Sequence, residues 1–398
     1  MKRVLVLGGK LQGLEAAYLM KKAGWHVTVM DKNPAAAAAG LADRFLQDDI
    51  MTAECLCQEM QQADLVIPAL EKLPVLEYIS AAASECGARL MFNLHSYNIS
   101  CSKLRSDKLF QELGVPAPLP WPDCSFPIIV KPSERSGSEG VARIEDEAEL
   151  SLYQQRYGSL EGQVVQQYVA GPSYSIEIVA CKGRLKTFQV TELEMDAVYD
   201  CKRVICPSGL SREMEAEFAA CAATLAKAVE LEGIMDVEVI LHEGKLKVLE
   251  IDARLPSQTL TAVYQSTGVI APEVYGTEER QGGSVDRYTF AQAQGVIYEH
   301  VEVSDGVLRT AGEHIMGSRG PLKLVENFFG ADEALTNYRP GSRTWAATLI
   351  IRAETRQQAW QKHLQVIDNI VQAENLSGFE DREPEVPVSF GSREEEAV

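Results

Sequence analysis

Apolar and polar positions follow one regular rhythm through the first hundred residues. Short apolar runs, which predict buried strands, occur at RVLVLGG, HVTVMD, ADLVIPAL and ARLMFN. Between the first two runs, residues 11–23 carry apolar side chains at the spacing of an amphipathic helix. Strands that alternate with helices are typical of a doubly wound parallel sheet. The pattern therefore predicts an α/β domain over residues 1–95.

The rhythm changes after Tyr97. A predicted helix that carries Lys103 and Lys108 ends at Gly114, and a proline-containing segment then leads into the strand FPIIVKP. The next strands, GQVVQQYVAG and SYSIEIVACKGRLKTFQVTELE, are separated by Gly171 and Pro172, which favours antiparallel pairing. Helices are predicted near residues 146–157 and over residues 211–231. This second part is predicted to be of the α+β class.

Two later stretches complete the predicted elements. GIMDVEVILHEGKLKVLEIDARLPSQT predicts two strands around a turn at His242, Glu243 and Gly244. TWAATLIIRAETRQQAWQKHLQVIDNIV predicts one further strand and a helix. These elements extend the α+β part toward the end of the chain.

Composition and charge narrow the classes of partner. The chain has 398 residues, 46% of them hydrophobic, and a formal net charge of −19, which disfavours nucleic acid or an anionic membrane as the main partner. Its nine cysteines are scattered without a paired CxxC motif, so a zinc site is not expected. The first apolar run is too short for a signal sequence, and no run reaches membrane-spanning length. A cytoplasmic protein that acts on small charged ligands is predicted.

The first turn allows two interpretations. Gly8, Gly9 and Gly13 follow the first strand, and Asp31 ends the second, which is similar to a dinucleotide fingerprint. However, Lys10 occupies the position where that fingerprint needs its second glycine, and its side chain would crowd a pyrophosphate. A tight turn with close helix contact at Gly13 is favoured, and a nicotinamide-dependent dehydrogenase remains the weaker alternative.

A loop of small residues follows Lys131. Residues 133–140 are rich in serine and glycine, which suits either a solvated hairpin connection or backbone N–H groups that cradle a phosphate. From these residues alone the hairpin is favoured.

Carboxylates cluster in the two strands around the His242 turn. Alternation places Asp236 and Glu238 on one face of the first strand, and Val248, Glu250 and Asp252 on one face of the second. If the strands pair across the turn, Glu238 comes close to Glu250. Converging carboxylates need a cation, and this oxygen set suits Mg²⁺, although an exposed face of solvated carboxylates stays open.

Several of these segments together resemble the ATP-grasp ligases. VKP with its serine- and glycine-rich loop, then QQYVAG, then DVEVILHEGKLKVLEIDARLPS match that family in order and spacing over roughly residues 1–270. The resemblance implies a Rossmann-like parallel sheet followed by an ATP-grasp fold of two α+β subdomains. It assigns residues 127–181 to a small lid subdomain, and residues 96–126 and 182–398 to a larger one.

The resemblance also implies roles for individual residues. Lys131 and Arg254 would be catalytic, and one or two Mg²⁺ ions would bind to Glu238, Glu250 and Asp252. The residues implied to contact ATP are Lys103, Lys131, Ser136, Gly137, Ser138, Gln166, Gln167, Tyr168 and Val169. Two features depart from the family pattern: glutamines replace its acidic pair before Tyr168, and Asp252 stands where asparagine is usual.

Within that family, longer strings resemble the ligases of pyrrolysine biosynthesis. They include GGKLQGLEAAYLMKKAG, VAGPSYSIEI, YDCKRV and LEIDARLPSQTLTAVYQSTG. This implies formation of an amide between the carboxylate of (3R)-3-methyl-D-ornithine, or of D-ornithine, and the ε-amine of L-lysine. A ligase for another amino acid or carboxylate remains the alternative.

The residues expected to contact substrate lie in the N-terminal domain and in the later α+β part. Glu177 and Asp236 are candidates to hold an ammonium group or to accept its proton. The segment after the first strand lies where α/β sheets place ligands. The remaining residues expected to contact substrate are Lys10, Leu11, Gln12 and Ser257.

Overall fold

The computed structural model describes residues 1–133, 140–277, 285–287 and 293–384. Its first unit is a parallel sheet in the order β3-β2-β1-β4 with helices packed around it. The elements are β1 Arg3–Leu7, α1 Leu11–Lys22, β2 His26–Met30, β3 Arg44–Leu46, α2 Leu56–Gln62, β4 Leu65–Pro68, α3 Leu73–Cys86, α4 Leu94–Ser100 and α5 Lys103–Leu113.

Two details of this unit differ from the prediction. The segment expected as a fourth strand makes only one parallel bridge, between Val66 and Leu90. It is cut short because Asn93 accepts a hydrogen bond from the backbone N–H of Ser96 at 3.0 Å and begins α4. The sheet instead gains the three-residue β3, whose apolar pattern is too short to predict a strand.

The glycines of the first turn allow the backbone of α1 to lie close to the backbone of the turn. A Cβ placed on Gly13 would lie 2.1 Å from the carbonyl oxygen of Gly8, so a larger residue at this position would separate α1 from the turn. Gly8 itself has a φ of +107°, which glycine tolerates and other residues rarely adopt. Asp31 accepts a hydrogen bond from the backbone N–H of Gly9 at 2.7 Å and fixes the same turn. The favoured interpretation of a tight turn is confirmed.

The second unit is a three-stranded antiparallel sheet in the order β6-β5-β7. Its apolar face packs Ile128, Val130 and Ile144 against Leu150 and Tyr153 of one helix. The elements are β5 Ile128–Pro132, β6 Ala142–Ile144, α6 Glu147–Tyr157 and β7 Gln163–Gln167.

Among the described residues, the remaining strands form one 13-stranded sheet, whose longest path is β13-β12-β8-β10-β11-β15-β19-β18-β17. None of the helices in the described part of the chain combines the length and apolar character that a membrane span requires. The elements are β8 Ser173–Cys181, β9 Arg184–Thr187, β10 Thr191–Met195, β11 Cys201–Cys206, α7 Arg212–Ala228, β12 Gly233–His242, β13 Lys245–Asp252, α8 Thr259–Thr267, α9 Ala271–Thr277, β14 Val285–Arg287, β15 Gly295–Ser304, β16 Val307–Thr310, α10 His314–Ser318, β17 Lys323–Phe328, β18 Ala331–Thr336, β19 Trp345–Ala353, α11 Arg356–Ala373 and β20 Phe379–Glu380.

The predicted fold class, a parallel α/β part followed by mixed α+β parts, is confirmed. One assignment differs, because β8 lies in the large sheet between β12 and β10 and does not pair with β7. Nearly every side chain of β8 is buried, as expected for an interior strand, whereas Gly171 and Pro172 connect the two sheets. We therefore propose that the small subdomain ends before residue 173; the other predicted boundaries remain predictions.

The parallel unit packs firmly on the large sheet through α1. The Tyr18 hydroxyl donates to the Glu333 carboxylate of β18 at 2.6 Å, and Lys22 pairs with the same carboxylate at 2.6 Å. Apolar side chains from α1, α8 and β15 share one core, which includes Tyr18, Val263 and Tyr298. This contact brings the loops after β1 and β4 over the end of β13.

Candidate active site

A cavity of about 920 Å³ opens where the parallel unit meets the large sheet. One wall is formed by the loops that follow β1 and β4, and the opposite wall by β12, β13 and the turn into α10. Ligands of open parallel sheets bind beyond the carboxyl ends of the strands, which is where this cavity lies relative to β1 and β4. The cavity therefore joins the parallel unit to the carboxylate-rich strands.

The predicted convergence of carboxylates is confirmed by the strand register. Glu238 of β12 pairs directly with Glu250 of β13, and Asp236 pairs with Asp252. All four line the cavity. Burial and the neighbouring carboxylates raise the pKa of Asp236, Glu238 and Asp252 above their ordinary values. The four carboxylates thus form one group on the cavity wall.

The simple alternation expected for β13 is interrupted by a bulge. Glu238 pairs with Glu250 and the next residue, Val239, pairs with Val248, so Leu249 is the extra residue. Because directly paired side chains lie on the same face, Val248 and Glu250 lie on opposite faces. Val248 is buried in the core beside α4 and α5, whereas Glu250 reaches the cavity. The prediction that these two residues share a face is therefore wrong.

Arg254 lies at the end of β13 between two carboxylates. Its guanidinium donates to Asp252 at 2.8 Å and lies 3.0 Å from Glu71, which belongs to the loop after β4. Burial disfavours the guanidinium charge, but Asp252, Glu71 and Asp236 outweigh it and hold the pKa of Arg254 above its ordinary value. Arg254 is thus a fixed cation that links the parallel unit to β13.

Two lysines predicted to contact ATP lie beside Glu250. The Lys103 ammonium is 2.6 Å from the Glu250 carboxylate. Lys131 is buried at the end of β5, and burial lowers its pKa while Glu250 and Asp107 oppose that change. The structure therefore brings Lys103, Lys131 and the carboxylate group together, as a polyphosphate site requires.

The predicted adenine segment connects the small and large sheets. Gln167 pairs with Ile128 in the small sheet, and its side-chain oxygen accepts a hydrogen bond from Lys247 of β13 at 2.8 Å. Gln166 and Val169 are buried, and the Arg143 guanidinium stacks on the Tyr168 ring with 4.4 Å to its centre. The other residues implied to contact ATP, Ser136, Gly137 and Ser138, lie outside the described residues.

Most residues expected to contact substrate lie on the cavity wall. They are Lys10, Leu11, Gln12, Asp236 and Ser257. The Gln12 side chain donates to Glu71 at 3.1 Å and thereby contacts the carboxylate beside Arg254. Glu177 differs, because it is fully buried, accepts a hydrogen bond from Ser175 at 2.9 Å and is not among the lining residues. Its predicted contact with substrate stays a prediction.

The sequence patterns did not indicate four charged residues that belong to the site. Glu71 reaches Arg254 from the parallel unit, and Asp200, Glu313 and His314 form a group with one possible ligand atom from each within 4.8 Å of the others. All four line the cavity. Glu71 and Glu313 lie outside every motif, and only tertiary packing brings residues 200 and 313 together.

The chain is similar in sequence to proteins named as ligases. A family model for an ATP-grasp domain matches residues 101–258. The 3-methyl-D-ornithine–L-lysine ligase of Methanosarcina acetivorans is 38% identical over 326 residues, which cover 79% of this chain and 84% of that protein. The chain belongs to this family of ATP-grasp ligases. It is an ATP-dependent carboxylate–amine ligase, and the dehydrogenase alternative is wrong.

More distant relatives agree with this family assignment. The D-alanine–D-alanine ligase of Ectopseudomonas mendocina is 28% identical over 180 residues, covering 40% of this chain and 57% of that protein. The L-amino acid ligase of Bacillus licheniformis has a TM-score of 0.64 at 15% identity, with 93% of this chain and 98% of that chain covered. The biotin carboxylase domain of Hydrogenobacter thermophilus 2-oxoglutarate carboxylase, solved with MgADP, reaches 0.69 at 16% identity over 92% of this chain and 89% of that one. These structures show the fold.

Proposed function

We propose that this ATP-grasp ligase joins the carboxylate of (3R)-3-methyl-D-ornithine to the ε-amine of L-lysine in pyrrolysine biosynthesis. The observation that carries the proposal is the cavity itself, where the Glu238–Glu250 pair and Arg254 face the loops of the parallel unit. The proposed metal-binding carboxylates and the residues expected to contact substrate thus line one cavity. The name and coverage of the Methanosarcina acetivorans relative support the choice of substrates.

The carboxylate group fits Mg²⁺. Glu238, Glu250 and Asp252 offer oxygen ligands, and their burial beside one another leaves negative charge that a cation would offset. We propose that they hold one or two Mg²⁺ ions together with oxygens of ATP. The metal would neutralise phosphate charge and align the transferring phosphoryl group.

The residues around the metal group would hold the nucleotide. Lys103 and Lys131 supply positive charge next to Glu250, and they would bind the phosphates. The segment from Gln166 to Val169 would hold the adenine between the two sheets, supported by the Lys247 hydrogen bond. Lys103 must release Glu250 to the metal when the nucleotide binds.

The reaction would then proceed in two steps. An oxygen of the ornithine carboxylate attacks the γ-phosphorus of ATP, the bond from that phosphorus to ADP breaks, and an acyl phosphate forms. The lysine ε-nitrogen then attacks the acyl carbon, and phosphate leaves with the bonding electron pair. Arg254, which lies beside Asp252, would stabilise the charge that develops on both the phosphoryl group and the tetrahedral intermediate.

This assignment is tested with purified enzyme, ATP, Mg²⁺, L-lysine and D-ornithine or its 3-methyl derivative. We expect ADP release over several turnovers only when both amino acids are present. Mass spectrometry should locate one new amide on the lysine ε-nitrogen. Omission of each amino acid in turn is the control. ADP release with other amino acids but not with these would contradict the substrate assignment and leave the ATP-dependent ligase intact.

A further inference from the structure

The amine substrate poses a protonation problem that the phosphate-handling residues do not solve. A lysine ε-ammonium has an ordinary pKa of about 10.4, so roughly one molecule in 2,500 is a free amine at pH 7. Attack on an acyl phosphate needs that free amine, and a positioned side chain accelerates such a proton transfer. The acceptor has to face the same cavity as Arg254.

Neither acceptor suggested by the sequence meets this condition well. Glu177 is fully buried and does not line the cavity. Asp236 lines it, but it lies beside Asp252 and Glu238 of the proposed metal group, and burial together with these carboxylates raises its pKa well above the usual range. Asp236 also pairs with Asp252, one of the proposed metal ligands. A cation bound there would repel an ammonium group close to Asp236.

Glu313, at the turn that leads into α10, has the required position. It lines the cavity, and the Ser257 hydroxyl, three residues after Arg254, donates to its Oε2 atom. This is the one side-chain hydrogen bond that Glu313 makes among the described residues, so its other oxygen can accept a proton from the cavity. Burial raises the pKa of Glu313, which makes its carboxylate a stronger base.

The turn that carries Glu313 is held rigidly against the loop between β10 and β11. The backbone N–H of Glu313 donates to the carbonyl of Cys201 at 3.0 Å, and the N–H of His314 donates to Asp200 at 3.1 Å. A Cβ on Gly312 would lie 2.1 Å from the Asp200 carboxylate, so this approach needs glycine. His314 also pairs with Asp200 at 2.8 Å, and that hydrogen bond raises the pKa of His314 to about 9. His314 is therefore protonated at neutral pH and is a poor proton acceptor.

We propose that Glu313 is the general base that deprotonates the attacking amine in the second step. Before attack, one proton passes from the ammonium nitrogen to Glu313. The nitrogen–carbon bond then forms, the carbon–oxygen bond to phosphate breaks, and phosphate leaves with the electron pair and the second proton. Ser257 and the Asp200–His314 pair act as positioning residues. This inference rests on the proposed function, since it assumes an amine that attacks an acyl phosphate.

The test compares two nucleophiles on the same acyl phosphate. Hydroxylamine is largely neutral at pH 7 and needs no base, so it traps the acyl phosphate as a hydroxamate, whereas L-lysine yields the amide. The assay contains ATP, Mg²⁺ and D-ornithine and compares the wild type with Glu313→Gln and Glu313→Asp. The control is Glu326→Gln, which changes an exposed carboxylate on β17. The measured quantity is the ratio of amide to hydroxamate at saturating nucleophile, from pH 7 to pH 9.

We expect Glu313→Gln to lower this ratio at least tenfold at pH 7, and Glu313→Asp to recover part of it. The deficit should shrink as pH rises, because solution then supplies the free amine. The charged and titratable groups that act on Glu313 are Asp200, His314, Arg254, Glu238, Glu15, Tyr298 and Cys201, and they are common to all four proteins.

Two outcomes would overturn the inference. The first is an amide-to-hydroxamate ratio in Glu313→Gln equal to that of the wild type. Poor folding of the variant would lower both products together and leave this ratio unchanged, so it also counts against the inference. The second is a lowered ratio that does not recover with pH, which would mean that Glu313 binds the amine without deprotonating it. Failure of the wild-type enzyme to form either product would instead contradict the proposed function.

Discussion

The metal-free enzyme carries an electrostatic penalty at Glu238 that a single substitution should remove. Glu238 pairs with Glu250 in the strand register, and burial first, then Glu250 and Asp252, raise its pKa above the ordinary 4.5. The folded chain therefore keeps a proton on Glu238 at pH values where the unfolded chain has lost it. For such a group the free energy of unfolding falls as pH rises from about 4.5 toward the raised value.

The size of the effect follows from proton linkage. One proton retained only in the folded state changes the free energy of unfolding by up to about 1.4 kcal/mol per pH unit. Because the Glu238 side chain is partly open to the cavity, we expect a smaller slope and a total of about 1–3 kcal/mol between pH 5 and pH 8. Glu238→Gln cannot titrate, so the variant should be more stable than wild type at pH 8 and similar at pH 5.

The assay is urea unfolding with a metal chelator at several pH values, compared with Glu217→Gln on the exposed face of α7. Glu238→Gln should lose at least a hundredfold in kcat at saturating Mg²⁺, because a metal ligand is missing where phosphate charge develops. A variant with the same pH dependence of stability as wild type would refute the account of the carboxylate group. Unaltered kcat would refute the ligand role.

Three further predictions address the metal, the fold and the substrate. Glu250→Gln and Asp252→Asn should each raise the Mg²⁺ concentration for half-maximal ADP release at least tenfold, and an unchanged Mg²⁺ dependence would argue against both as ligands. Gly13→Ala should lower the melting temperature by several degrees, since its Cβ meets the Gly8 carbonyl at 2.1 Å, whereas the control Gly378→Ala, with open space around it, should not. D-Ornithine should be ligated roughly 10 to 200 times more slowly than its 3-methyl derivative, because one methyl contact is lost, and L-ornithine more slowly still; equal rates for both ornithine isomers would contradict the expected stereochemistry.

Local patterns predicted the grouping of carboxylates in the β12–β13 pair. Counting outward from the turn at Glu243 and Gly244 places Leu249 opposite Glu238, so the sequence predicted only that Glu250 lies close to Glu238, and the bulge makes the two glutamates a direct pair. The bulge at Leu249 could not be predicted, because it depends on burying Val248 in the core while Glu250 still faces the cavity. Periodicity describes a regular strand and gives no warning of an inserted residue.

Long-range contacts set the limit of the sequence analysis. Glu313 lies 56 residues after its partner Ser257 and in a segment with no motif, so nothing near it in sequence marks it as part of the site. Glu71 meets Arg254 only because α1 packs the parallel unit against the large sheet. The misassignment of β8 has a similar cause, since its apolar pattern predicts a strand but does not say which sheet receives it.

The central claim is that ATP activates a substrate carboxylate as an acyl phosphate before an amine displaces phosphate. Transfer of ¹⁸O tests this directly: D-ornithine labelled with ¹⁸O in both carboxylate oxygens is turned over with ATP, Mg²⁺ and L-lysine, and the released phosphate is analysed by mass spectrometry. The account predicts one ¹⁸O atom in each phosphate formed and one retained in the amide carbonyl. Unlabelled phosphate, or label recovered in AMP, would contradict it.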